Sequence, residues 1–222
     1  MQQYYEHNGI TIYHGDCREV LPTLEKVDLV LTDPPYGIGE SSDKVESRNI
    51  YIKGLGNSLA QQRDYGEFHW DDKVVDADLM NLVLSIGEHK CVFGGNYYDL
   101  PPTSCWLIWD KENGANDFAD AELAWTNYPK AVRIKKHLWN GMLRKGKERR
   151  DHPTQKPLEV IEWCITLCPD EPQTILDPFM GSGTTLVAAK QLNRKCIGIE
   201  LEEKYCEIAV KRLQQEYLGL GV

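Results

Sequence analysis

The sequence predicts an α/β domain built on an open, mostly parallel sheet, and three stretches carry that prediction. Ile10-Thr-Ile-Tyr-His14, a short helical turn within residues 17–24 and a strand over 28–32 make a βαβ unit. Near the other end, Thr174-Ile-Leu176, a glycine-rich turn, a helix through Gln191 and Cys196-Ile-Gly-Ile199 repeat the pattern. The third stretch is Leu29-Val-Leu31, an apolar run of the kind a central strand buries on both faces. It runs into Asp33-Pro34-Pro35-Tyr36. Neither proline has an N–H for the ladder, so the strand stops there and presents a carboxylate, a stiff carbonyl and a ring at the sheet edge. Ligands of open α/β sheets bind outside such carboxyl ends. A plain turn with a capping Asp uses the same letters.

The elements follow in order. Val20, Leu21 and Leu24 face inward from the first helical turn, which Pro22 keeps short. Residues 40–72 are polar, with glycines and little periodicity, and are long for a structureless loop. Tyr65, Phe68 and Trp70 read as its anchors to the core. Residues 76–87 carry Leu79, Leu82, Val83 and Ile86 at helical spacing. Short strands are expected at Cys91-Val-Phe93, Trp106-Leu-Ile-Trp109 and Ala121-Glu-Leu-Ala-Trp125. Pro157 opens a helix with Leu158, Val160, Ile161, Cys164, Ile165 and Cys168 inward, and Pro169 ends it. A last helix spans Glu202 to Tyr217.

A chain of 222 residues, 41% of them apolar, fits one large domain or a domain with an insertion. Its apolar runs fall short of the ~20 residues that span a bilayer. Met1 to His7 does not read as a signal peptide. The seven cysteines lack paired metal spacing, so a reduced, cytoplasmic protein without a metal is expected. Net charge is −9, which argues against a general nucleic-acid binder. Yet Lys130, Arg133, Lys135, Lys136, Arg144, Lys145, Lys147, Arg149 and Arg150 crowd one segment whose single acid is Glu148. Such asymmetry reads as a local polyanion contact or as a solvated loop.

Strand, Gly181-Ser-Gly183, helix, strand and Glu200 form a nucleotide-type half-site. A phosphate-binding loop needs Gly-Lys-Ser/Thr, and no lysine lies between Gly181 and Lys190. A dinucleotide fingerprint wants a third glycine where Leu186 stands. An adenosine-bearing ligand without pyrophosphate needs neither, and S-adenosylmethionine is such a ligand.

Asp33-Pro34-Pro35-Tyr36 together with Asp177-Pro178-Phe179-Met180-Gly181-Ser182-Gly183-Thr184 resembles the amino-methylating DNA methyltransferases. His152-Pro-Thr-Gln-Lys-Pro157, Asp110-Lys111 and Phe118-Ala-Asp-Ala-Glu-Leu-Ala-Trp125 are similar to further segments of that family. The order, catalytic motif first and cofactor motif last, looks like its β group. The resemblance implies a circularly permuted, Rossmann-like methyltransferase fold with a mostly parallel sheet of seven strands, the last antiparallel. It also implies a prokaryotic or phage-type restriction-modification setting. The natural continuation of the strand ending at Glu200 is then the N-terminal strand ending near Asp16.

The same resemblance implies transfer of a methyl group from S-adenosyl-L-methionine to the N6 of a flipped-out adenine in DNA, with cytosine N4 as the alternative. Asp33, Pro34, Pro35 and Tyr36 would be catalytic. Asp16, Asp33, Thr154, Lys156, Asp177, Phe179, Gly181, Ser182, Gly183, Thr184 and Glu200 would line the cofactor pocket. Asp16 and Lys156 are the weaker transfers, since a strand-end cap or a surface charge uses the same residues. Arg133, Lys135, Lys136, Arg144, Lys145, Lys147 and Arg149 would contact DNA. A single domain over 1–222 leaves only residues 37–72 and 130–151 as target-recognition regions, which raises the prospect of a homodimer that shares the reading. An RNA or protein methyltransferase and an idle DNA-binding protein are the other classes.

Overall fold

The computed structural model describes residues 2–37, 74–113, 119–139 and 155–215. The polar loop after Gly37 up to residue 73, its three aromatic anchors and the basic stretch from residue 140 lie outside them. Contacts divide the chain into two units, one of Met1–Pro34 with Ala77–Val222 and one of Pro35–Asp76. Everything below concerns the first unless stated.

Among the described residues nine strands form one sheet: β1 Gln2–His7, β2 Ile10–His14, β3 Val27–Thr32, β4 Gly87–Phe93, β5 Trp106–Asp110, β6 Ala121–Thr126, β7 Arg133–Lys136, β8 Thr174–Asp177 and β9 Lys195–Glu200. Their order is β1-β2-β9-β8-β3-β4-β6-β5-β7. The five central strands from β2 to β4 run parallel, and β6 is antiparallel to both β4 and β5. The expected α/β class and permutation are therefore present. β9, near the C-terminus, pairs with β2, near the N-terminus, with Ile10 beside Cys196 and His14 beside Glu200.

The expected count of seven strands is corrected to nine. β1 joins β2 as an antiparallel hairpin through Asn8 and Gly9, both at positive φ (48° and 78°), the signature of a two-residue hairpin turn. β7 pairs in parallel with β5 at the far edge. Both extra strands are edge strands made mostly of polar or charged residues, with Ile134 of β7 exposed, so their burial pattern is weak.

Among the described residues five α-helices flank the sheet: α1 Cys17–Val20, α2 Ala77–Ile86, α3 Leu158–Thr166, α4 Thr184–Gln191 and α5 Glu203–Gln215. α2 packs on β3 and β4 with Leu79, Met80, Val83 and Ile86 buried. A contiguous core joins Leu29, Leu31, Cys91, Phe93, Leu107 and Ile175 of the sheet to Val160, Cys164, Leu186, Ala209 and Leu213 of α3, α4 and α5. Each leucine, isoleucine, valine or phenylalanine among them contributes roughly 1.5–3 kcal/mol by leaving water. α4 lies deepest, with every residue from Thr184 to Ala189 buried. All seven cysteines are free and buried. Among the described residues no helix is long and apolar enough to cross a membrane.

Candidate active site

Parallel pairing brings the carboxyl ends of β3, β8, β9 and β2 to one edge. There the chain places Asp33, Asp177, Glu200 and Asp16. The two inner carboxylates on β8 and β9 are held alike. Asp177 accepts from Thr32 Oγ1 at 2.9 Å, Thr185 Oγ1 at 2.6 Å and the Phe179 N–H at 3.2 Å. Burial still pushes it up to about 6, against the pull of those donors. Glu200 accepts from the Gly181 N–H at 2.9 Å and the Glu202 N–H at 2.8 Å. Burial raises it to about 7. Neither acid has a cationic partner among the described residues.

The turn between them is shaped by two glycines. Gly181 and Gly183 take φ of 50° and 78°, a region side chains resist. A Cβ on Gly183 would also stand 2.7 Å from the Cβ of Ala209 in α5. One helical turn further along α5, Arg212 Nη1 donates to Ser182 O at 2.8 Å and to Ser182 Oγ and Thr184 Oγ1 at 3.0 Å each. Ser182 Oγ in turn donates to Gln155 Oε1 at 3.3 Å. Ser182 and Thr184 thus tie the turn to the last helix. Phe179 is half-buried at the start of the turn.

Asp16 caps α1, accepting from the Arg18 N–H at 2.8 Å, and stays partly exposed. The Gly15 N–H donates to the Glu200 carbonyl at 2.9 Å, which sets Asp16 beside the β9 edge. The strand-end cap foreseen for Asp16 is therefore real, and the same residue still stands at the edge where a cofactor contact was expected.

At the end of β3 the chemistry changes. Lys156 is buried, not a surface charge, and its ammonium donates to Asp33 Oδ2. The same nitrogen lies 3.2 Å from Glu122 Oε2 on β6. Lys111, just after β5, closes the row 2.6 Å from Glu122 Oε1. Burial alone would lower Lys156, but Asp33 and Glu122 outweigh it and push it up to about 12. Burial would raise Glu122, yet Lys156 and Lys111 hold it below the usual carboxylate range. The Pro34 carbonyl accepts from the Tyr98 hydroxyl at 3.2 Å. Asp33 and Pro34 therefore present two acceptors side by side, each aimed at a donor. Pro35 and Tyr36 belong to the second unit.

The basic segment divides. Lys130 donates to the Leu167 carbonyl at 2.6 Å, and Lys135 pairs with Glu159 at 2.7 Å. Lys136 approaches Asp110 only to 4.0 Å, with its side chain 70% exposed. Arg133 is exposed on β7. Thr154, Arg144, Lys145, Lys147 and Arg149 lie outside the described residues.

Tyr98 and Arg212 were not singled out from the sequence, and Lys111 and Glu122 lie in segments that resemble the family but were given no role there. Glu122 carried a signal, a lone acid inside the apolar strand Ala-Glu-Leu-Ala-Trp. Arg212 carried none, because an arginine near the end of an amphipathic helix is ordinary.

A permuted doubly wound sheet with a proline-stiffened Asp beside a glycine turn and an acid-ended strand defines a nucleoside-ligand enzyme of the amino-methylating type. A family model for N6/N4 DNA methylases matches residues 106–211. The Type II methyltransferase M2.DpnII of Streptococcus pneumoniae is 30% identical over 96% of this chain and 92% of its own length. M.HinfI of Haemophilus influenzae is 30% identical over 92% and 68%. Among solved structures, the M1.HpyAVI–SAM complex superposes with a TM-score of 0.57 at 25% identity, covering 92% of this chain and 98% of that one. The cytosine-N4-specific PvuII DNA methyltransferase shares the fold, with a TM-score of 0.56 at 16% identity over 96% and 88%. This chain belongs to the N6/N4 family of DNA methylases.

Proposed function

We propose that the chain is a site-specific methyltransferase that uses S-adenosyl-L-methionine to methylate the exocyclic N6 of adenine in DNA. The carrying observation is the pair of adjacent acceptors, the Asp33 carboxylate and the Pro34 carbonyl, at the carboxyl edge beside the glycine turn. An exocyclic amine is a poor nucleophile because its lone pair is delocalised into the ring. Two acceptors on its N–H bonds favour the pyramidal, nucleophilic form, and proline rigidity fixes one of them in advance. Tyr36 supplies an aromatic face for the base. A base inside a duplex cannot reach such acceptors, so the target is flipped out.

The residues at the turn suit the cofactor. The buried Asp177 and half-buried Glu200 have hydroxyl and N–H donors instead of cations, which favours a positively charged ligand over a phosphate. Glu200 has spare lone pairs for ribose hydroxyls, and the Gly181 and Gly183 backbone leaves room for close approach. Asp16, Phe179, Ser182, Thr184 and Thr154 complete the proposed pocket. The bound cofactor supplies an electrophilic methyl group on a sulfonium. Arg133 and Lys136, with the basic residues after 140, are the proposed phosphate contacts. A cytoplasmic setting goes with this reading, since the proposed substrate is DNA.

Asp33 favours adenine, because Asp accompanies adenine and Ser accompanies cytosine N4 more often in this family. The test is mass spectrometry of nucleosides from DNA incubated with enzyme and cofactor. N6-methyldeoxyadenosine is expected. N4-methyldeoxycytidine alone would overturn the base assignment and keep the site.

A further inference from the structure

We infer that Glu122 is a positioning residue for the transfer step, sharing the Lys156 ammonium so that Asp33 stays available to the target amine. The inference rests on Asp33 being the acceptor of that amine. Lys156 sits between two carboxylates, Asp33 on one side and Glu122 on the other, while Lys111 backs Glu122. The row Asp33, Lys156, Glu122, Lys111 alternates in sign and sums to zero. All four side chains are a quarter exposed or less. In so shielded a place a lone lysine–aspartate pair is strong, and prising it apart is costly.

The target amine needs the same carboxylate. It offers a neutral N–H, and an ammonium is the better donor. A Lys156 committed wholly to Asp33 would therefore hold the carboxylate against the substrate. Glu122 changes that competition. Its Oε2 lies 3.2 Å from Lys156 Nζ, farther than Asp33 Oδ2, so it draws on the ammonium without displacing it from Asp33. Lys156 holds the Asp33 carboxylate in place, and Glu122 keeps Lys156 from saturating it. β-sheet register fixes this arrangement. Glu122 lies opposite Trp109 in the β5–β6 pair, and the Lys111 ammonium lies over the Trp109 ring at 5.1 Å. On the other side Lys156 rests over the Phe93 ring at 5.3 Å.

Glu122→Gln keeps the shape and removes the charge, and Glu122→Asp keeps the charge. In the Gln variant kcat is expected to fall about tenfold to a hundredfold, the scale of a misplaced reacting group. Cofactor Kd by calorimetry is expected to stay within about twofold, because the turn is untouched. The Asp variant should recover part of the loss. The Lys156 ammonium, followed by nitrogen-detected NMR, should titrate below its value of about 12 once Glu122 is neutral. An unchanged kcat in a folded Gln variant would overturn the inference. So would equal losses in kcat, cofactor affinity and melting temperature, which mark a merely structural role. Wild-type enzyme that transfers no label to DNA would sink the functional reading instead. An unchanged Lys156 titration in Glu122→Gln would sink the charge sharing whatever the substrate.

Discussion

Two sets of carboxylates share one sheet edge and are treated in opposite ways. Asp33 and Glu122 are partly buried against lysines, which hold Glu122 below the usual carboxylate range. Asp177, buried, and Glu200, half-buried, face hydroxyls and N–H groups and are pushed up to about 6 and about 7. A fold that wanted only stability would compensate both sets. Leaving the second pair without a cation keeps a standing negative demand beside the glycine turn, suited to a cationic ligand that brings its own charge. Compensating the first set fixes an acceptor that must be charged before substrate arrives. In the proposed reading, charge supplied by the protein marks the reacting end, and charge left open marks the cofactor end.

The contrast is broken most sharply at Asp33. Asp33→Asn should cut the transfer rate by about 10²–10³-fold, the scale of losing one preorganised transition-state partner. Cofactor affinity by calorimetry should stay within a few-fold, because the turn and Glu200 are intact.

Glu200→Ala should do the reverse, weakening the cofactor by about 1–3 kcal/mol through lost hydrogen bonds while kcat at saturation changes little. The acid at about 7 adds a pH signature. Its folded value lies above the ordinary carboxylate value, so the ionised form is disfavoured by the fold. That cost is in force above pH ~7 and is relieved as pH falls toward the unfolded value, so apo stability gains a contribution on acidification. Cofactor affinity moves the other way. Ribose hydroxyls need the carboxylate as acceptor, so Kd should rise below pH ~7, by up to about tenfold at pH 6. Calorimetry across pH 6 to 8 (approximate limits) checks this, and Glu200→Gln should flatten the profile.

A smaller effect is expected at the brace behind the turn. Arg212→Met removes the donor shared by Ser182 and Thr184. Cofactor binding should weaken by about 1 kcal/mol, with kcat at saturation unchanged. A fall in melting temperature with no change in Kd would mean that Arg212 only ties helix to loop.

These distinctions were unevenly legible in the amino-acid sequence. The seven apolar strands, all the longer helices and the permuted order could be read because buried strands and amphipathic helices announce themselves by period. β7, Arg-Ile-Lys-Lys, could not, since an exposed edge strand need not alternate. β4 begins at Gly87, four residues before its apolar part at Cys91, and Glu88, His89 and Lys90 hide its start. Asp33, Asp177, the glycines and Glu200 stood out because each ends or interrupts an apolar run. Glu122 and Lys111 did not, because their meaning lies in the pairing of β5 with β6. Lys156 was assigned to the cofactor pocket, and only the fold shows its ammonium on Asp33. The basic segment was read by charge alone, which cannot separate a lysine already paired within the protein from one facing solvent.

The smallest prediction uses that separation. Lys136→Ala should flatten the slope of log affinity for DNA against log salt by about one unit, if one phosphate contact is lost. Lys135→Ala, whose ammonium is already on Glu159, should leave the slope nearly unchanged. Equal changes in the two would mean that Lys135 leaves Glu159 when DNA binds.

The central claim, that the charge-compensated end of the edge methylates an amine of DNA, is tested most directly by label transfer. Wild-type enzyme is incubated with methyl-tritiated S-adenosylmethionine and equal masses of DNA, RNA and a protein mixture. The account predicts label in DNA, carried on an exocyclic nitrogen, and none in the other two. Label confined to RNA or protein, with the cofactor bound normally, would contradict it.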